Sequence, residues 1–244
     1  MNFFVTADQI KDNNIYIKNS DVNHIKNVLR KETGDLISIV CNGINYSTKI
    51  LELTSEYVKC EILNKTIAKE HDLKLTIFQG LAKADKIEYI IQKCTELGAF
   101  EVIPVEMKRS IVKIDNKDKQ KKIERWKKIA EVASKQSLRS EILKVDKILS
   151  FKEMLECLND FDTVIVAYEK EKESSLKSVI KNDCINSKNI AVIIGPEGGI
   201  DDDEFKQLTK IGAKSVSLGT RILRTETAPV AICAIIMYEL EWEN

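Results

Sequence analysis

The segment Ile190–Ile200 constrains the fold of this chain most, because a short apolar run leads directly into a glycine-rich turn. It reads Ile-Ala-Val-Ile-Ile-Gly-Pro-Glu-Gly-Gly-Ile, and Asp201-Asp-Asp-Glu204 follows. The run predicts a buried strand over Ile190–Ile194, and an Asp with a Glu three residues later predicts a capping box at the start of a helix. A strand, a tight turn and a helix in this order are typical of α/β sheets, which bind ligands at the carboxyl ends of their strands.

The alternation of strands and helices extends over residues 72–244 and predicts an α/β domain, whose mostly parallel sheet is covered on both faces. From Ile87 to Cys94, apolar residues recur with the spacing of an amphipathic helix, which Gly98 would end. The predicted strands are Leu73–Leu81, Val102–Val105, Thr163–Tyr168, Ile190–Ile194 and Ser215–Leu218. The predicted helices are Ala84–Leu97, Lys117–Leu138, Phe151–Leu158, Leu176–Ile180, Asp201–Ile211 and Thr227–Leu240.

Residues 1–71 follow a different pattern, which predicts a small β-rich barrel or sandwich and a domain boundary near Lys69–Asp72. One short helix is predicted at Asp21–Arg30, and Asn42-Gly43 favours a two-residue hairpin turn. Both histidines, His24 and His71, lie in or beside this domain, and we interpret them as structural. The predicted strands are Leu36–Cys41, Tyr46–Leu53 and Tyr57–Leu63.

Composition narrows the class of protein. The apolar fraction of 43% allows a sizeable core, but no stretch approaches the roughly 20 consecutive apolar residues of a membrane-spanning helix. Met1–Asp12 lacks the layout of a signal peptide. The six cysteines form no C-x-x-C pair, so we expect neither a disulfide framework nor a bound metal. These features predict a soluble, cytoplasmic protein.

The formal net charge of zero conceals an uneven distribution of charge. Residues 72–140 carry 16 basic and 10 acidic side chains, whereas residues 141–244 carry 13 basic and 19 acidic ones. The basic excess is concentrated in Lys108–Arg139, which has 12 basic and 4 acidic residues. Such a surface suits the phosphate backbone of a nucleic acid, although a charged helix is often only a solvated face.

A second loop, Leu218–Pro229, again follows a predicted strand and precedes a helix. It carries Arg221 and Arg224, which would either clamp a phosphate or developing oxyanion or make structural ion pairs. Neither this loop nor the glycine-rich turn contains a P-loop or dinucleotide motif, so a nucleoside triphosphate and NAD are disfavoured. The helix Val230–Leu240 is apolar almost all round, which predicts burial in the domain core or at a subunit interface.

These segments resemble those of the ribosomal RNA small-subunit methyltransferase E family, of the SPOUT class. The resemblance rests on Gly195-Pro-Glu-Gly-Gly199, followed by Leu218-Gly-x-Arg-Ile-Leu-Arg-x-Glu-Thr-Ala228. Asn23-His-Ile-x-x-Val-Leu-Arg30, Gly80–Gly98 and Arg125-Trp-x-Lys-Ile-Ala130 also fit, so the resemblance covers essentially the whole chain. One departure is Lys135-Gln-Ser-Leu-Arg139, where the family tends to have glycine in place of Leu138.

The resemblance implies a PUA-like β-barrel RNA-binding domain over 1–71 and a SPOUT-type α/β methyltransferase domain with a C-terminal trefoil knot over 72–244. It also implies a homodimer that binds S-adenosylmethionine in the knot. The implied reaction is methylation of N3 of uridine 1498 in the 16S rRNA of the small ribosomal subunit. The alternatives are an enzyme acting on another RNA atom such as a ribose hydroxyl, a non-catalytic RNA-binding factor and a small-molecule enzyme of the doubly wound type.

The implied site residues fall into three groups. The first group holds the catalytic candidates, which are Arg221, Arg224, Glu197 and Glu226. The arginines would stabilise a deprotonated uracil, and either glutamate would accept its proton or orient an arginine. The cofactor is expected at Glu169, Ile194, Gly195, Pro196, Gly198, Gly199, Leu218, Gly219, Ile222, Leu223, Arg224, Thr225, Thr227 and Ala228. RNA is expected at Arg30, Lys83, Lys86, Arg109, Lys113, Arg125, Gln136 and Arg139.

Overall fold

The computed structural model describes residues 1–68 and 72–241. The chain divides into two units, one containing Met1–Glu70 with Ser134–Glu141 and the other His71–Ala133 with Ile142–Asn244. His71 and most of the predicted domain boundary lie outside the described residues. Ser134–Glu141 groups with the N-terminal unit, whereas the sequence pattern placed it in the second domain.

A six-stranded sheet forms the first unit. Its strands are β1 (Asn2–Phe4), β2 (Ile10–Lys11), β3 (Asn14–Lys18), β4 (Leu36–Cys41), β5 (Ile44–Leu53) and β6 (Tyr57–Ile67). They are hydrogen-bonded in the order β1-β4-β5-β6-β3-β2, with β1 and β4 parallel and all other neighbours antiparallel. The first three strands were not predicted, since even β3 has only five residues.

Two local features of this unit, a hairpin turn and a short helix, were predicted from the sequence. As predicted, β4 and β5 are joined by a two-residue turn, in which Asn42 and Gly43 have φ angles of 48° and 72°. Positive φ at both residues is the backbone of a type I′ turn. The predicted helix Asp21–Arg30 is instead a short α-helix, α1 (Ser20–Asn23), followed by a π-helical turn over His24–Val28.

The second unit contains a six-stranded sheet in which every pair of neighbours is parallel, as the alternating pattern predicted. The strands are β7 (Lys74–Gly80), β8 (Glu101–Glu106), β9 (Leu149–Ser150), β10 (Thr163–Ala167), β11 (Asn189–Ile194) and β12 (Lys214–Val216). Their order in the sheet is β12-β10-β11-β7-β8-β9. The strand that was predicted at Ser215–Leu218 is β12, and it ends two residues earlier than predicted, at Val216.

Helices accompany this sheet in the order α2 (Ala84–Glu96), α3 (Asn116–Gln136), α4 (Phe151–Cys157), α5 (Leu176–Val179), α6 (Asp202–Lys210) and α7 (Thr227–Leu240). The last turn of α3 belongs to the first unit. Both faces of the sheet are buried, because successive residues of β11 enter two different apolar clusters. Ile190, Val192 and Ile194 pack in one cluster, and Ala191 and Ile193 pack in the other.

Helix α7 is buried along one side within the single chain, so the core accounts for that side only, and burial of the other side at a subunit interface stays a prediction. Ile232, Cys233 and Ile236 are fully buried, but the side chains of Ile235 and Tyr238 are 43% and 54% exposed. Within residues 1–68 and 72–241, no helix is long and apolar enough to cross a membrane.

Candidate functional site

A cavity of about 990 Å³ lies at the carboxyl ends of β10, β11 and β12. Because β10 lies between the other two strands in the sheet, the segments that follow all three strands meet at one edge. The cavity is therefore at the position where open α/β sheets bind ligands. Its volume lies at the upper end of the roughly 300–1,000 Å³ of small-molecule sites.

The glycine-rich turn after β11 brings main chain close to other segments. Gly199 has a φ of 71°, and a Cβ there would lie 2.6 Å from Oε1 of Glu169. A Cβ on Gly198 would lie 3.1 Å from both Cβ and the carbonyl oxygen of Arg109. The turn thus needs glycine at Gly199 for its backbone conformation, and at Gly198 because a side chain would press on the backbone of Arg109.

Helix α6 begins directly after this turn with the predicted capping box. Asp201 accepts a hydrogen bond from the Asp203 N–H, and Glu204 completes the box. The segment before α3 packs on this helix start, since the ammonium of Lys108 lies 2.8 Å from Asp201 and Nε of Arg109 lies 3.4 Å from the same carboxylate. The hydrogen bond from Lys108 is the main reason that the pKa of Asp201 lies below its ordinary value.

A buried polar network joins the two loops that line the cavity. The Thr225 hydroxyl donates to the Gly195 carbonyl oxygen at 2.7 Å. The side-chain amide of Gln79, at the end of β7, donates to the Thr225 hydroxyl at 2.9 Å and to the Gly80 carbonyl at 3.0 Å. Because Gln79 is fully buried, these bonds are shielded from water and fix the loops at their bases.

A group of three charges connects the same two loops at the cavity wall. The ammonium of Lys86, on α2, lies 3.2 Å from Glu197 Oε1 and 3.2 Å from Glu226 Oε2. Partial burial opposes ionisation of Glu197, but hydrogen bonds from its own N–H, from the Lys83 N–H and from Lys86 outweigh it and lower its pKa. Burial likewise opposes the charge of Lys86, yet its bonds to Glu226 and Glu197 raise its pKa.

The loop after β10 is ordered by one carboxylate. Glu171 Oε2 accepts a hydrogen bond from the Ser215 hydroxyl, and Oε1 accepts from the N–H groups of Lys172, Glu173 and Ser174. The Ser215 bond, followed by the backbone bonds, lowers the pKa of Glu171 to about 2. The segment 171–175 lines the cavity.

Nearly all the predicted cofactor residues line this one cavity. The exception is Thr227, the first residue of α7. Among the catalytic candidates, Arg221, Arg224 and Glu197 line the cavity. Glu226 does not line it, but its carboxylate lies 3.2 Å from the ammonium of Lys86, which does. The segment 171–175 also lines the cavity but was not predicted from the sequence. It follows the predicted strand Thr163–Tyr168, and ligands bind at the carboxyl ends of strands in such sheets, so this signal was available.

The predicted RNA-binding residues lie in several environments. Lys86 lines the cavity and Arg109 contacts Gly198 and Asp201. Arg125 makes two contacts of 2.8 Å with Glu88. Lys83 and Lys113 are exposed, and Arg30, Gln136 and Arg139 belong to the first unit.

Much of the basic run Lys108–Arg139 is paired with acidic residues. Ion pairs are made by Lys108, Arg109, Lys117, Lys119, Arg125, Lys127 and Lys135. Lys113, Lys121, Lys122 and Lys128 make none with the described residues. The positive charge available to a polyanion is therefore smaller than the sequence count suggests.

Comparison with known proteins agrees with this geometry. The model of the RNA methyltransferase domain family matches residues 69–237, and that of the RNA methyltransferase PUA domain matches residues 17–63. The ribosomal RNA small subunit methyltransferase E of Bacillus subtilis (strain 168) is 39% identical, with 97% of this chain and 95% of the relative covered. The enzyme of the same name from Mesomycoplasma hyopneumoniae (strain 232) is 33% identical, with 93% and 95% covered.

A solved structure extends the similarity to three dimensions. The ribosomal RNA small subunit methyltransferase E of Neisseria gonorrhoeae, bound to S-adenosyl methionine, superposes with a TM-score of 0.85 at 26% identity, covering 98% of this chain and 97% of that chain. The PUA domain, the α/β domain and the cavity at the strand ends define a two-domain RNA methyltransferase. Within that class, the chain belongs to the ribosomal RNA small subunit methyltransferase E family.

Proposed function

We propose that this protein transfers a methyl group from S-adenosylmethionine to N3 of uridine 1498 in the 16S rRNA of the small ribosomal subunit. Family membership supports the reaction, and the relative solved with S-adenosyl methionine supports the cofactor. The observation that carries the proposal is the cavity at the ends of β10, β11 and β12, which is lined by the two loops characteristic of the family.

The residues of the cavity fit this cofactor. Ile194, Leu218 and Leu223 provide apolar side chains for an adenine ring, and the glycine-rich turn presents main chain without obstructing side chains. The carboxylate of Glu169, packed on Gly199, suits ribose hydroxyls as a hydrogen-bond acceptor. When bound, S-adenosylmethionine supplies an electrophilic methyl group.

The protein's own contribution is to bind the uracil in its reactive form and to orient it. N3 of uridine is a poor nucleophile until it loses its proton, and the resulting negative charge spreads onto the neighbouring carbonyl oxygens. Arg221 and Arg224 line the cavity and are exposed, so their guanidinium groups are available to stabilise that charge. Alignment of N3 with the methyl group supplies a further part of the rate.

RNA is bound, on this proposal, by a PUA-like domain over 1–71 and by basic residues of a SPOUT domain over 72–244. Exposed Lys83 and Lys113 are suited to phosphates, as is Arg30 in the first unit. Arg125, Gln136 and Arg139 complete the proposed RNA-binding set. Arg109 is included for its position beside the glycine-rich turn.

We further propose that the protein is a cytoplasmic homodimer whose C-terminal segment forms a trefoil knot. The exposed Ile235 and Tyr238 on the uncovered side of α7 support a dimer, because a second copy would remove these apolar side chains from water. Light scattering coupled to size exclusion should give twice the mass of one chain. A monomer at micromolar concentration would contradict the dimer without affecting the proposed reaction.

The test of function is transfer of labelled methyl from S-adenosylmethionine to free 16S rRNA and to purified small subunits, followed by nucleoside analysis. We expect label in 3-methyluridine with at least one of the two substrates. Label in a 2′-O-methyl nucleoside would instead identify a ribose methyltransferase. Cofactor binding without any transfer would favour a non-catalytic factor.

A further inference from the structure

We propose that Lys86 is a positioning residue of the methyl-transfer site, which joins the two cavity loops and, through Glu226, holds Arg224 at the cavity. This inference rests on the proposed function, and it gives Lys86 a role different from direct RNA binding. It also assigns Glu197 and Glu226 to orientation of the site and leaves removal of the uracil proton to another acceptor.

The first part of the proposal, that Lys86 joins the two cavity loops, rests on the positions of three charged side chains. Lys86 comes from α2, Glu197 from the glycine-rich turn and Glu226 from the loop before α7, so the ammonium connects three segments. The exposed fractions of the three side chains are only 23%, 22% and 18%. Removing Lys86 would leave two partly buried carboxylates without the cation that they share, which is less favourable than losing an exposed ion pair.

The second part of the proposal, that Arg224 is held at the cavity, rests on the contacts of Glu226. Its Oε2 faces Lys86, whereas its Oε1 lies 3.9 Å from the guanidinium of Arg224. The Arg224 side chain is 83% exposed, and Glu226 is the one acidic residue within ion-pair distance of it in the described part of the chain. A carboxylate held by Lys86 on one side can therefore orient the exposed arginine at the cavity wall.

The same contacts argue against the glutamates as proton acceptors. Both already interact with the Lys86 ammonium, and Glu197 also accepts from the Lys83 N–H at 3.2 Å. Each carboxylate is thus already occupied by a cation and is not free to receive the uracil proton. Lys86 is equally poorly placed for a phosphate, because its ammonium is directed at two acids in the cavity wall.

The experiment compares Lys86→Met, Lys86→Arg and a matched control, Lys93→Met, in the full-length protein. Lys93 lies on the same helix but pairs with Glu96 at 2.8 Å and does not line the cavity. We expect Lys86→Met to lower the single-turnover rate of methyl transfer by about tenfold to a hundredfold, the range for small misplacement of reacting groups. Lys86→Arg should restore most of the rate, and Lys93→Met should match the wild type.

Two further readouts separate positioning from a general loss of structure. Amide hydrogen exchange should accelerate in residues 195–199 and 223–227 of Lys86→Met and stay unchanged elsewhere. The double variant Lys86→Met/Arg224→Ala should lose less than the product of the two single losses, because part of the lysine's effect is exerted through the arginine. If Lys86→Met does not fold, Glu226→Gln tests the same connection and should accelerate exchange in 223–227.

Three results would overturn the inference: a Lys86→Met rate within twofold of wild type, unchanged exchange in both loops, or additive losses in the double variant. A weaker salt dependence of RNA binding with unchanged loop exchange would make Lys86 an RNA ligand instead. An inactive wild-type protein would overturn the proposed function, and the exchange data would still decide whether Lys86 joins the loops.

Discussion

The hydroxyl of Thr225 lies 2.7 Å from the carbonyl oxygen of Gly195 and donates a hydrogen bond to it. This contact connects the loop before α7 to the glycine-rich turn after β11. Gln79 donates to the same hydroxyl from the end of β7. The two cavity loops are therefore fixed to each other and to the sheet, which is the preorganisation that a small-molecule site needs.

Replacing Thr225 with valine removes that hydroxyl while keeping the shape of the side chain. The Gln79 amide and the Gly195 carbonyl would each lose a buried partner, so the free energy of unfolding should fall by about 1–3 kcal/mol. Affinity for S-adenosylmethionine should fall with it. Thr225→Ser keeps the hydroxyl and should retain most of both, as measured by chemical denaturation and calorimetry; equal behaviour of the two variants would contradict this role.

Gly199→Ala tests whether close packing in the glycine-rich turn serves the cavity. The matched control is Gly212→Ala, since Gly212 also has a positive φ, 85°, but no atom within 4 Å of a Cβ position. Both variants should lose about 1–3 kcal/mol of stability from a left-handed alanine. Only Gly199→Ala displaces Glu169, so only it should weaken cofactor binding, by about tenfold. Equal cofactor affinities would show that the clash is relieved without cost to the site.

Patterns along the chain predicted the second unit well, because a parallel sheet buries long apolar strands such as β11 and separates them by amphipathic helices. The capping box at Asp201 and the glycines of the turn were local signals of the same kind. The contact of Gln79 with Thr225 and that of Lys86 with Glu197 could not be predicted, because each pair is more than 100 residues apart in sequence. Periodicity also failed for β1–β3, which are too short to establish a period.

Glu171 should make stability depend on pH in the acid range. Its pKa is lowered from 4.5 to about 2 by bonds that exist only in the folded chain. The folded state is therefore favoured above pH 4.5, and that advantage is lost as the pH falls from 4.5 towards 2. Unfolding free energies of Glu171→Gln should be lower than wild type at neutral pH and converge on it near pH 2. Glu173→Gln, an exposed neighbour, should follow the wild type throughout.

RNA affinity should depend more on unpaired lysines than on paired ones. Lys113 is exposed and has no ion-pair partner among the described residues, whereas Lys127 lies 2.6 Å from Asp146. Lys113→Met should reduce the slope of log affinity against log salt by about one, the loss expected for one phosphate contact. Lys127→Met changes the charge equally but should change the slope less. Identical slopes would mean that only total charge matters.

Leu138 occupies a backbone position that favours glycine. It has a φ of 60° just after α3, and the Arg139 N–H bonds back to the Ser134 carbonyl at 3.1 Å, as at many helix ends closed by glycine. Because the side chain is 60% exposed, little burial is lost on its removal. Leu138→Gly should raise the free energy of unfolding by about 1 kcal/mol, while Leu138→Ala should not; a loss of stability in the glycine variant would contradict the strain.

The most direct measurement of the central claim is primer extension on 16S rRNA treated with the protein and S-adenosylmethionine. A methyl group on N3 of uridine blocks base pairing, so reverse transcriptase stops one nucleotide before it. We expect one new stop, adjacent to uridine 1498, which requires the cofactor and is strongly reduced in Arg224→Ala. Cofactor-dependent methyl transfer without a stop at that nucleotide would contradict the claim.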